Sequence, residues 1–365
     1  MTATAKSSSP SATTTSDHDT VSPERIGELC EELSANLNKS VAEISGLNRQ
    51  SGILSLNAAI EAARAGDQFG AAFGVVANAM RDLSTKTSEV ASSMTGKTTD
   101  NIVELKRINA VLSTNHRGTR LSDVALTNID LIDRNLYERT CDVRWWATDP
   151  SLYEALEKNT DDGYAYASHR LGVILDSYTV YCDLVLCNLD GRVVADGRPK
   201  KYQSIGSSQA QAKWFQEAKA TRSGDEYGFE TVHKSPLVDG QHVLVYSCCV
   251  RKRGDAHGKP LGVLGIVFNW DDLAQTIVNN LPLTEEEKAR TRACIVDDRG
   301  LVLADCHNRQ LSETIEFVER ESLFEKEKDF VITDIHGQKS CIGYAKSPGY
   351  ETYATGWRSL VMQSL

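Results

Sequence analysis

The chain has 365 residues, enough for two or three domains, and carries a net charge of −10. This acidic balance disfavours non-specific nucleic-acid binding, because a phosphate-binding surface normally needs an excess of Lys and Arg. No apolar run reaches the roughly 18 residues of a membrane span, and the N-terminus lacks the apolar core of a signal peptide. The sequence therefore predicts a cytoplasmic protein. Its nine cysteines, an odd number without a framework spacing, predict reduced thiols.

The N-terminal residues 1–22 are rich in Ser, Thr and Ala and contain almost no large apolar side chain. Such a segment buries too little surface to offset the entropy lost on ordering, so it is predicted to be disordered. Ser22, Pro23 and Glu24 then combine an N-cap, a proline at the first helical position and an acid in the first turn. A helix is therefore predicted to begin at residue 23.

Residues 23–112 are predicted to form an antiparallel helical hairpin. One helical pattern ends at Gly66 and a second begins at Phe73, so the chain must fold back at a tip near residues 66–72. Both arms follow the alternating 3/4 spacing of a coiled coil. The seam positions are Ile26, Cys30, Leu33, Leu37, Ser40, Ile44, Leu47, Ser51, Leu54 and Ala58, then Phe73, Val76, Met80, Leu83, Thr87, Val90 and Met94. One hairpin buries little surface, so a four-helix bundle formed by a homodimer is predicted.

Two interruptions of the return arm are expected. The polar residues 95–100, which include Gly96, weaken its middle, and residues 115–118 are interpreted as a joint. Beyond this joint a further long helix is predicted over residues 121–146.

The rest of the chain carries an internal repeat. A strand, a glycine turn and a second strand at residues 185–196 return at residues 295–305, with Gly191 and Gly300 lying 109 residues apart. A single repeat of this length indicates a duplicated α+β domain rather than a solenoid. The predicted fold class is therefore α+β and multidomain, with a helical hairpin followed by a long helix and two modules with antiparallel sheets.

The hairpin resembles the signalling tip of bacterial methyl-accepting chemotaxis proteins. Gln50, residues 53–67 and residues 73–81 follow that family's pattern. The chain departs from it at Arg49, and its turn is one residue longer and lacks the family's Arg.

The tandem α+β region resembles a double Cache sensor, which has two PAS-like modules behind one long helix. The resemblance rests on residues 144–150, the two glycine hairpins, residues 213–215 and residues 355–357. It implies a sensor over residues 113–365, with modules at about 150–283 and about 284–365.

The resemblance assigns roles to the hairpin tip. In the family, the tip packs receptor dimers into trimers and binds the chemotaxis histidine kinase CheA and the coupling protein CheW. The implied trimer contacts are Ile53, Leu56, Asn57, Glu61 and Arg64, and the implied coupling-protein contacts are Val75 and Val76. The alternative is that these residues only stabilise the hairpin, which explains Asn57 poorly because Asn is a weak helix former.

Adaptation by methylation, which the family performs on paired glutamates, has one candidate pair. Glu31 and Glu32 lie between Gly27 and Ala35, but Glu28 and Asn36 interrupt the pattern. A charged, solvated helix face is the favoured interpretation.

The first α+β module is predicted to bind the ligand, because a pocket needs a mostly apolar wall with a few polar groups. The candidate residues are Trp214, Phe215, Tyr227, Asp239 and Tyr246. In amino-acid-binding relatives an Arg two residues before the Trp holds the ligand carboxylate, and this chain has Ala212 there, so no amino-acid ligand is predicted. The alternative is that Trp214 and Phe215 are simply core residues.

Neither a metal, a cofactor nor an enzymatic activity is predicted. The chain has no C-x-x-C motif, P-loop, nucleophile elbow or paired catalytic carboxylates. The adjacent Cys306 and His307 weakly suggest a metal or redox site. The favoured interpretation is that the cysteines are small buried hydrophobic residues.

Taken together, the patterns predict a soluble, cytoplasmic chemoreceptor-like transducer. Its C-terminal region would sense a small molecule or another cytoplasmic stimulus, and the hairpin would relay the signal to CheA and CheW. The alternative is a non-chemotactic sensor or scaffold whose hairpin drives oligomerisation without controlling a kinase.

Overall fold

A computed structural model describes residues 23–365, so the predicted disorder of residues 1–22 lies outside the described part of the chain. Contacts divide the protein into two compact units, Met1–His116 and Arg117–Leu365. Within the described residues, no helix combines the length and the apolar character needed to cross a membrane.

The first unit contains two long antiparallel helices, α1 (Pro23–Arg64) and the N-terminal part of α2 (Asp67–Trp146). Their short connection ends at Gly66, whose φ of 77° is the left-handed conformation that favours glycine after a helix. Gly70 lies directly against the carbonyl oxygen of Ala62 and leaves no room for a Cβ atom. Small residues therefore let the two helices approach closely beside the turn.

The second helix, α2, is a single helix of 80 residues. The interruptions expected at residues 95–100 and 115–118 are therefore wrong, although the boundary between the two units coincides with the second of them. Gly118 is buried, and the ring of Phe330 packs on its backbone where a side chain would otherwise stand. The glycine that suggests a joint is thus a helical position that accommodates an aromatic ring.

The hairpin packs its small and polar residues together. Ser55 donates a hydrogen bond to the carbonyl of Ala77 at 2.8 Å, and the Asn48 amide donates to Ser88 Oγ at 2.9 Å. Ser55 is 5% exposed and Ala77 is 2% exposed. These contacts fix the register of the two arms with the fold-back point next to Gly66.

Within one hairpin, about half of the predicted seam positions are buried or half-buried and the others are exposed. Buried or half-buried residues recur every seven positions on α1, at Cys30, Leu37, Ile44, Ser51 and Ala58. The intervening predicted positions point away from the partner helix. These exposed apolar residues include Leu33, Leu47, Leu54, Phe73, Val76, Leu83, Val90 and Met94.

The second unit begins with the C-terminal part of α2, followed by α3 (Pro150–Lys158) and α4 (Asp161–Ser177). The elements of the first module are β1 (Tyr181–Asn188), β2 (Val193–Asp196), α5 (Lys213–Ala220), β3 (Gly228–Ser235), β4 (Gln241–Arg251), β5 (Pro260–Asn269) and α6 (Trp270–Asn279). Those of the second are α7 (Glu285–Ala289), β6 (Thr291–Val296), β7 (Val302–Asp305), α8 (Arg320–Phe324), β8 (Lys328–Ile335), β9 (Gln338–Lys346) and β10 (Arg358–Ser364).

The two modules share one topology. Their sheets have the strand orders β2-β1-β5-β4-β3 and β7-β6-β10-β9-β8, and all neighbouring strands are antiparallel. The predicted α+β fold class with a duplicated antiparallel module is confirmed.

Three apolar clusters hold the second unit together. The largest joins α2, α3 and α4 to one face of both sheets. The opposite face of the first sheet packs on α5, and the opposite face of the second sheet packs on α8. Trp270 connects the modules, because its indole Nε1 donates to the carbonyl of Leu303 at 2.6 Å and its ring meets Trp357 edge to face.

Candidate functional site

The tip residues singled out by the sequence are all exposed on the hairpin. The apolar members Ile53, Leu56, Val75 and Val76 are between 53% and 70% exposed, and Asn57, Glu61 and Arg64 are exposed beside them. The hairpin itself is joined through Ser55 and Ala77 instead. The seven residues are therefore free to contact a partner, and that role stays a prediction.

Glu61 and Arg64 form a loose ion pair across one helical turn, with 3.7 Å between Arg64 Nη1 and Glu61 Oε2. Both side chains are about three-quarters exposed. A solvated pair of this kind contributes little to folding, because water screens it and both side chains lose freedom. The pair is better suited to contacting a partner specifically than to stabilising the hairpin.

Glu31 and Glu32 are exposed on α1, as a methylation site would require. Glu31 lies 3.6 Å from Lys106 on α2, and Glu32 lies 3.6 Å from Arg25. These ion pairs fit a charged solvated face, and methylation of the pair stays a prediction.

Trp214 and Phe215 lie at the start of α5 and pack on one face of the first sheet. They are 1% and 2% exposed. The Trp214 ring lies over Gly265 of β5, where any side chain would collide with it. This side of the sheet, which we call the Trp214 face, is lined by the valines of β1, β4 and β5.

The structure does not bring all five predicted ligand-binding residues together. Tyr246 belongs to the cluster on the opposite face of the sheet, and Tyr227 packs against it there, with ring centres 6.1 Å apart. Asp239 is exposed in the tight turn between β3 and β4, with φ 56°. Only Trp214 and Phe215 share a surface, because side chains alternate between faces along β4.

The Trp214 face carries buried polar groups that the sequence reading missed. Asp183 pairs across the sheet with Val267, and Asp196 pairs with Val185, which places both carboxyls on this face. Both residues are fully buried, and Tyr202, also on this face, is 1% exposed. One oxygen of each carboxyl and the Tyr202 hydroxyl have no hydrogen-bond partner in the described part of the chain.

The remaining carboxyl oxygens are satisfied by the protein. Asp183 Oδ1 accepts from the backbone N–H groups of Leu184 and Gly197, at 2.8 and 3.1 Å. Asp196 Oδ2 accepts from the Ser204 hydroxyl at 2.6 Å. Burial, and then the neighbouring Asp196, raise the pKa of Asp183 to about 7. These two carboxyls therefore lie buried within the first module, and each has one oxygen already held by the protein.

Asp305, Cys306 and His307 bring three potential metal ligands within 4.8 Å of one another. The Asp305 carboxylate is already engaged by Arg292, at 2.6 Å from Nη2 to Oδ2. Cys306 Sγ accepts from the backbone of Ala293 at 3.3 Å. This group therefore gives no further support to a metal or redox role.

Two known families match overlapping parts of the chain. The methyl-accepting chemotaxis protein (MCP) signalling domain matches residues 2–135, and the Cache domain matches residues 75–365.

Two curated relatives match part of the chain. Methyl-accepting chemotaxis protein McpA of Pseudomonas putida is 42% identical over 78 residues, which is 20% of this chain and 12% of the relative. Methyl-accepting chemotaxis protein IV of Escherichia coli is 35% identical over 100 residues, 27% of this chain and 17% of the relative. The chain thus spans less than a fifth of the length of these relatives.

Solved sensor domains share the fold of the second unit. The sensor domain of the V. cholerae histidine kinase DctB has a TM-score of 0.51 at 14% identity, covering 69% of this chain and 97% of that domain. The sensory domain of the Campylobacter jejuni chemoreceptor Tlp3 has a TM-score of 0.50 at 16% identity, covering 68% and 94%. The extracellular domain of rpHK1S-Z16 has a TM-score of 0.51 at 12% identity, covering 68% and 95%.

These neighbours overturn one part of the sequence-based prediction. They are sensor domains of chemoreceptors and histidine kinases, and one is described as extracellular. The predicted cytoplasmic location and the predicted cytoplasmic stimulus are therefore wrong. Both rested on a missing membrane span and signal peptide, and such an absence says little about where a sensor meets its stimulus.

Proposed function

The chain belongs to the Cache domain family and joins its sensor to a methyl-accepting chemotaxis signalling hairpin, and from this premise we propose that it is a chemoreceptor. A small molecule binds the first Cache module, and the hairpin passes the bound state to CheA through CheW. Signalling and sensing, not catalysis, are what these two domains perform.

The exposed tip supports the proposed contact with CheW and CheA. Ile53, Leu56, Val75 and Val76 expose more than half of their surface although none is needed for the packing of the hairpin. Apolar residues beside a charged pair provide affinity and register in protein interfaces. The hairpin thus presents a ready contact surface for a second dimer, for CheW and for CheA.

A homodimer is supported by the way the hairpin distributes its side chains. Leu47 and Leu83 are 66% and 63% exposed, whereas the adjacent Asn48 and Ser84 face the partner helix and bond across it, Ser84 Oγ donating to the Asn48 carbonyl at 3.2 Å. We call the exposed apolar residues of the two arms, from Leu33 to Met94, the apolar stripe. Exposing so much apolar surface to water is unfavourable in a monomer. A second hairpin covering the stripe completes a four-helix bundle.

The input end is supported by the Trp214 face. Trp214 and Phe215 supply an apolar wall, and Asp183, Asp196 and Tyr202 add polar atoms that lack a partner. Ligand sites combine a mostly apolar lining with a few such groups. The unpaired acceptors indicate a ligand that brings a cation or hydrogen-bond donors.

The decisive experiment measures the autophosphorylation rate of CheA with CheW in the presence of the full-length protein and of its Arg64→Ala variant. We expect the wild-type protein to change the rate and the variant to lose that effect while it stays helical. No change in rate with the wild-type protein would favour the scaffold alternative, for which Arg49 and the longer turn are the supporting observations.

A further inference from the structure

A cavity opens at the C-terminal end of α2, apart from the Trp214 face. Its volume is about 280 Å³, and its wall combines the end of α2 with the end of β4 and two loop segments, at residues 224–225 and 254–256. Two arginines line it, Arg144 from α2 and Arg251 from β4.

Arg251 is a buried cation without a counter-charge. Its side chain is 95% buried, leaving 5% exposed. Its two terminal nitrogens donate to the carbonyl oxygens of Gly258 at 3.1 Å and Thr221 at 2.6 Å, while Nε has no hydrogen-bond partner among residues 23–365. Burying a charge among neutral acceptors is costly, and an unsatisfied N–H adds to that cost.

Arg144 of α2 is a second cation that lines this cavity, and it is only partly buried. It donates to the carbonyl oxygens of Thr140 at 2.8 Å and Asp225 at 3.3 Å. Across the described residues 23–365, neither Arg144 nor Arg251 forms an ion pair with a carboxylate. Two guanidinium groups therefore line one small cavity. Their positive charges and their remaining N–H donors are available to a ligand.

The remaining walls are neutral inside and acidic at the rim. Cys248 lies between the two arginines, and burial raises its pKa to about 12, so it stays an uncharged thiol. Asp225 and Asp255 line the cavity too, but both are exposed to solvent, where water screens their charge. The acidic rim disfavours large polyanions more than small ones.

We propose that this cavity binds a small oxyanion, a carboxylate, phosphate or sulfate group, between Arg144 and Arg251. Planar guanidinium groups match the oxygens of such anions and bind them more strongly than they bind neutral acceptors such as carbonyl oxygens. The cavity lies just below the roughly 300–1,000 Å³ of pockets for drug-sized ligands. A bound anion would tie the end of α2 to the loop before β3 and the loop after β4, which makes the cavity a candidate second input to that helix. The inference does not depend on the proposed control of CheA.

The test titrates the full-length protein with sodium phosphate, sulfate and acetate, each against sodium chloride of equal ionic strength, by calorimetry and thermal unfolding. We expect at least one oxyanion to bind saturably with a Kd of about 1 mM or tighter and to raise the unfolding temperature. The three salts separate phosphate, sulfate and carboxylate as the recognised group.

Three variants place the binding in this cavity. Arg144→Gln, whose side chain is only partly buried, should weaken binding at least about tenfold while the protein stays folded. Arg251→Gln should do the same if it folds. Arg299→Gln removes an exposed arginine in the turn between β6 and β7 and should leave the affinity unchanged. Absence of saturable binding in the wild-type protein, or equal affinity in a folded Arg144→Gln variant, would overturn the proposal.

A local readout gives an independent check. Cys141 also lines the cavity and is partly exposed, so the recognised anion should slow its alkylation, followed by peptide mass spectrometry. The partly exposed Cys306 of the second module should react at an unchanged rate. Equal protection of both thiols, or of neither, would contradict binding in this cavity.

Discussion

Asp183 in the first sheet occupies the position that Arg292 occupies in the second. Asp183 lies two residues before Val185, the partner of Asp196. Arg292 stands likewise before Cys294, which pairs with Asp305. In the second sheet Arg292 neutralises the buried Asp305 at 2.6 Å, whereas the first sheet sets one buried carboxyl beside another. The first module thus has the acid without the base that balances it in the second module.

This exchange predicts a pH dependence of stability. The pKa of Asp183 is raised from 3.8 to about 7, so between these values the folded protein holds a proton that the unfolded chain releases. Stability from this group is therefore present at low pH, falls as the pH rises towards 7, and is flat above it. Asp183→Asn should stabilise the protein at pH 8 by about 2–4 kcal/mol and flatten the profile between pH 5 and 7.

The measurement compares unfolding temperatures of the two proteins from pH 5 to 8. Asp190→Asn is the matched control, since Asp190 is exposed in the turn between β1 and β2. It should follow the wild-type profile throughout. Parallel profiles for wild type and Asp183→Asn would show that Asp183 is ionised in the folded protein at all these pH values.

A second prediction separates the tip from the arms. Glu61→Ala or Arg64→Ala should preserve helicity and dimerisation and disrupt higher assembly or kinase control, because the pair is solvated and adds little to folding. Arg107→Ala is the control, since Arg107 forms the same type of exposed pair with Glu104 at 2.7 Å, but on the arm. Circular dichroism, sedimentation and kinase assays report the three properties. Loss of helicity in the tip variants alone would make those residues structural.

The third prediction concerns the exposed apolar stripe of the hairpin. Leu83→Glu places a charge on the stripe and should convert a dimer into monomers, because the buried carboxylate would lack a partner. Thr85→Glu adds the same charge two residues on, towards the other side of α2, and should leave the dimer intact. Sedimentation of both full-length variants at micromolar concentration checks this. A wild-type monomer would already refute the four-helix bundle.

The stripe also shows what the sequence could and could not predict. The 3.5-residue period correctly placed Cys30 and Ser51 on the inner side of α1. It did not separate the positions that face the other helix of the same hairpin from positions such as Leu47, which one hairpin leaves exposed. Here the small neighbours Asn48 and Ser55 face α2 and the leucines remain exposed.

Part of the candidate ligand site was within reach of the sequence. Successive side chains of a strand point to opposite faces of its sheet, so Val245 and Tyr246 of β4 lie on different faces. This alternation can be read from the sequence, and it separates Tyr246 from the ligand-site candidates on the Val245 side. The repeat offset of 109 residues aligns Asp183 with Arg292, which shows that the first module has no base at this position. In contrast, the contact of Gly118 with Phe330 joins segments more than 200 residues apart. No local sequence pattern predicts a contact of this kind.

The fourth prediction tests the Trp214 face as the ligand site. Trp214→Ala should abolish ligand-induced thermal stabilisation, but truncating so large a buried side chain also costs about 3–5 kcal/mol. Trp214→Phe is therefore the sharper variant. Compounds that stabilise the wild-type protein in a metabolite screen should lose at least half of their effect on it. Tyr344→Phe, on the corresponding face of the second sheet, should retain the effect. The reverse pattern would assign the ligand to the second module.

The last prediction concerns how α2 is held against the second sheet. Gly118 has no space for a Cβ because the Phe330 ring lies on it, whereas a Cβ on Gly96, in the same helix, would meet nothing within 4 Å. Gly118→Ala should lower local stability by about 1–3 kcal/mol through overpacking. Gly96→Ala should raise it by about 0.5–1 kcal/mol, since alanine is the better helix former. Hydrogen exchange of α2 peptides measures both effects locally, and Phe330→Leu should recover part of the loss in the Gly118→Ala background. If both alanine variants slow exchange equally, the close contact of Gly118 with Phe330 does not constrain the helix.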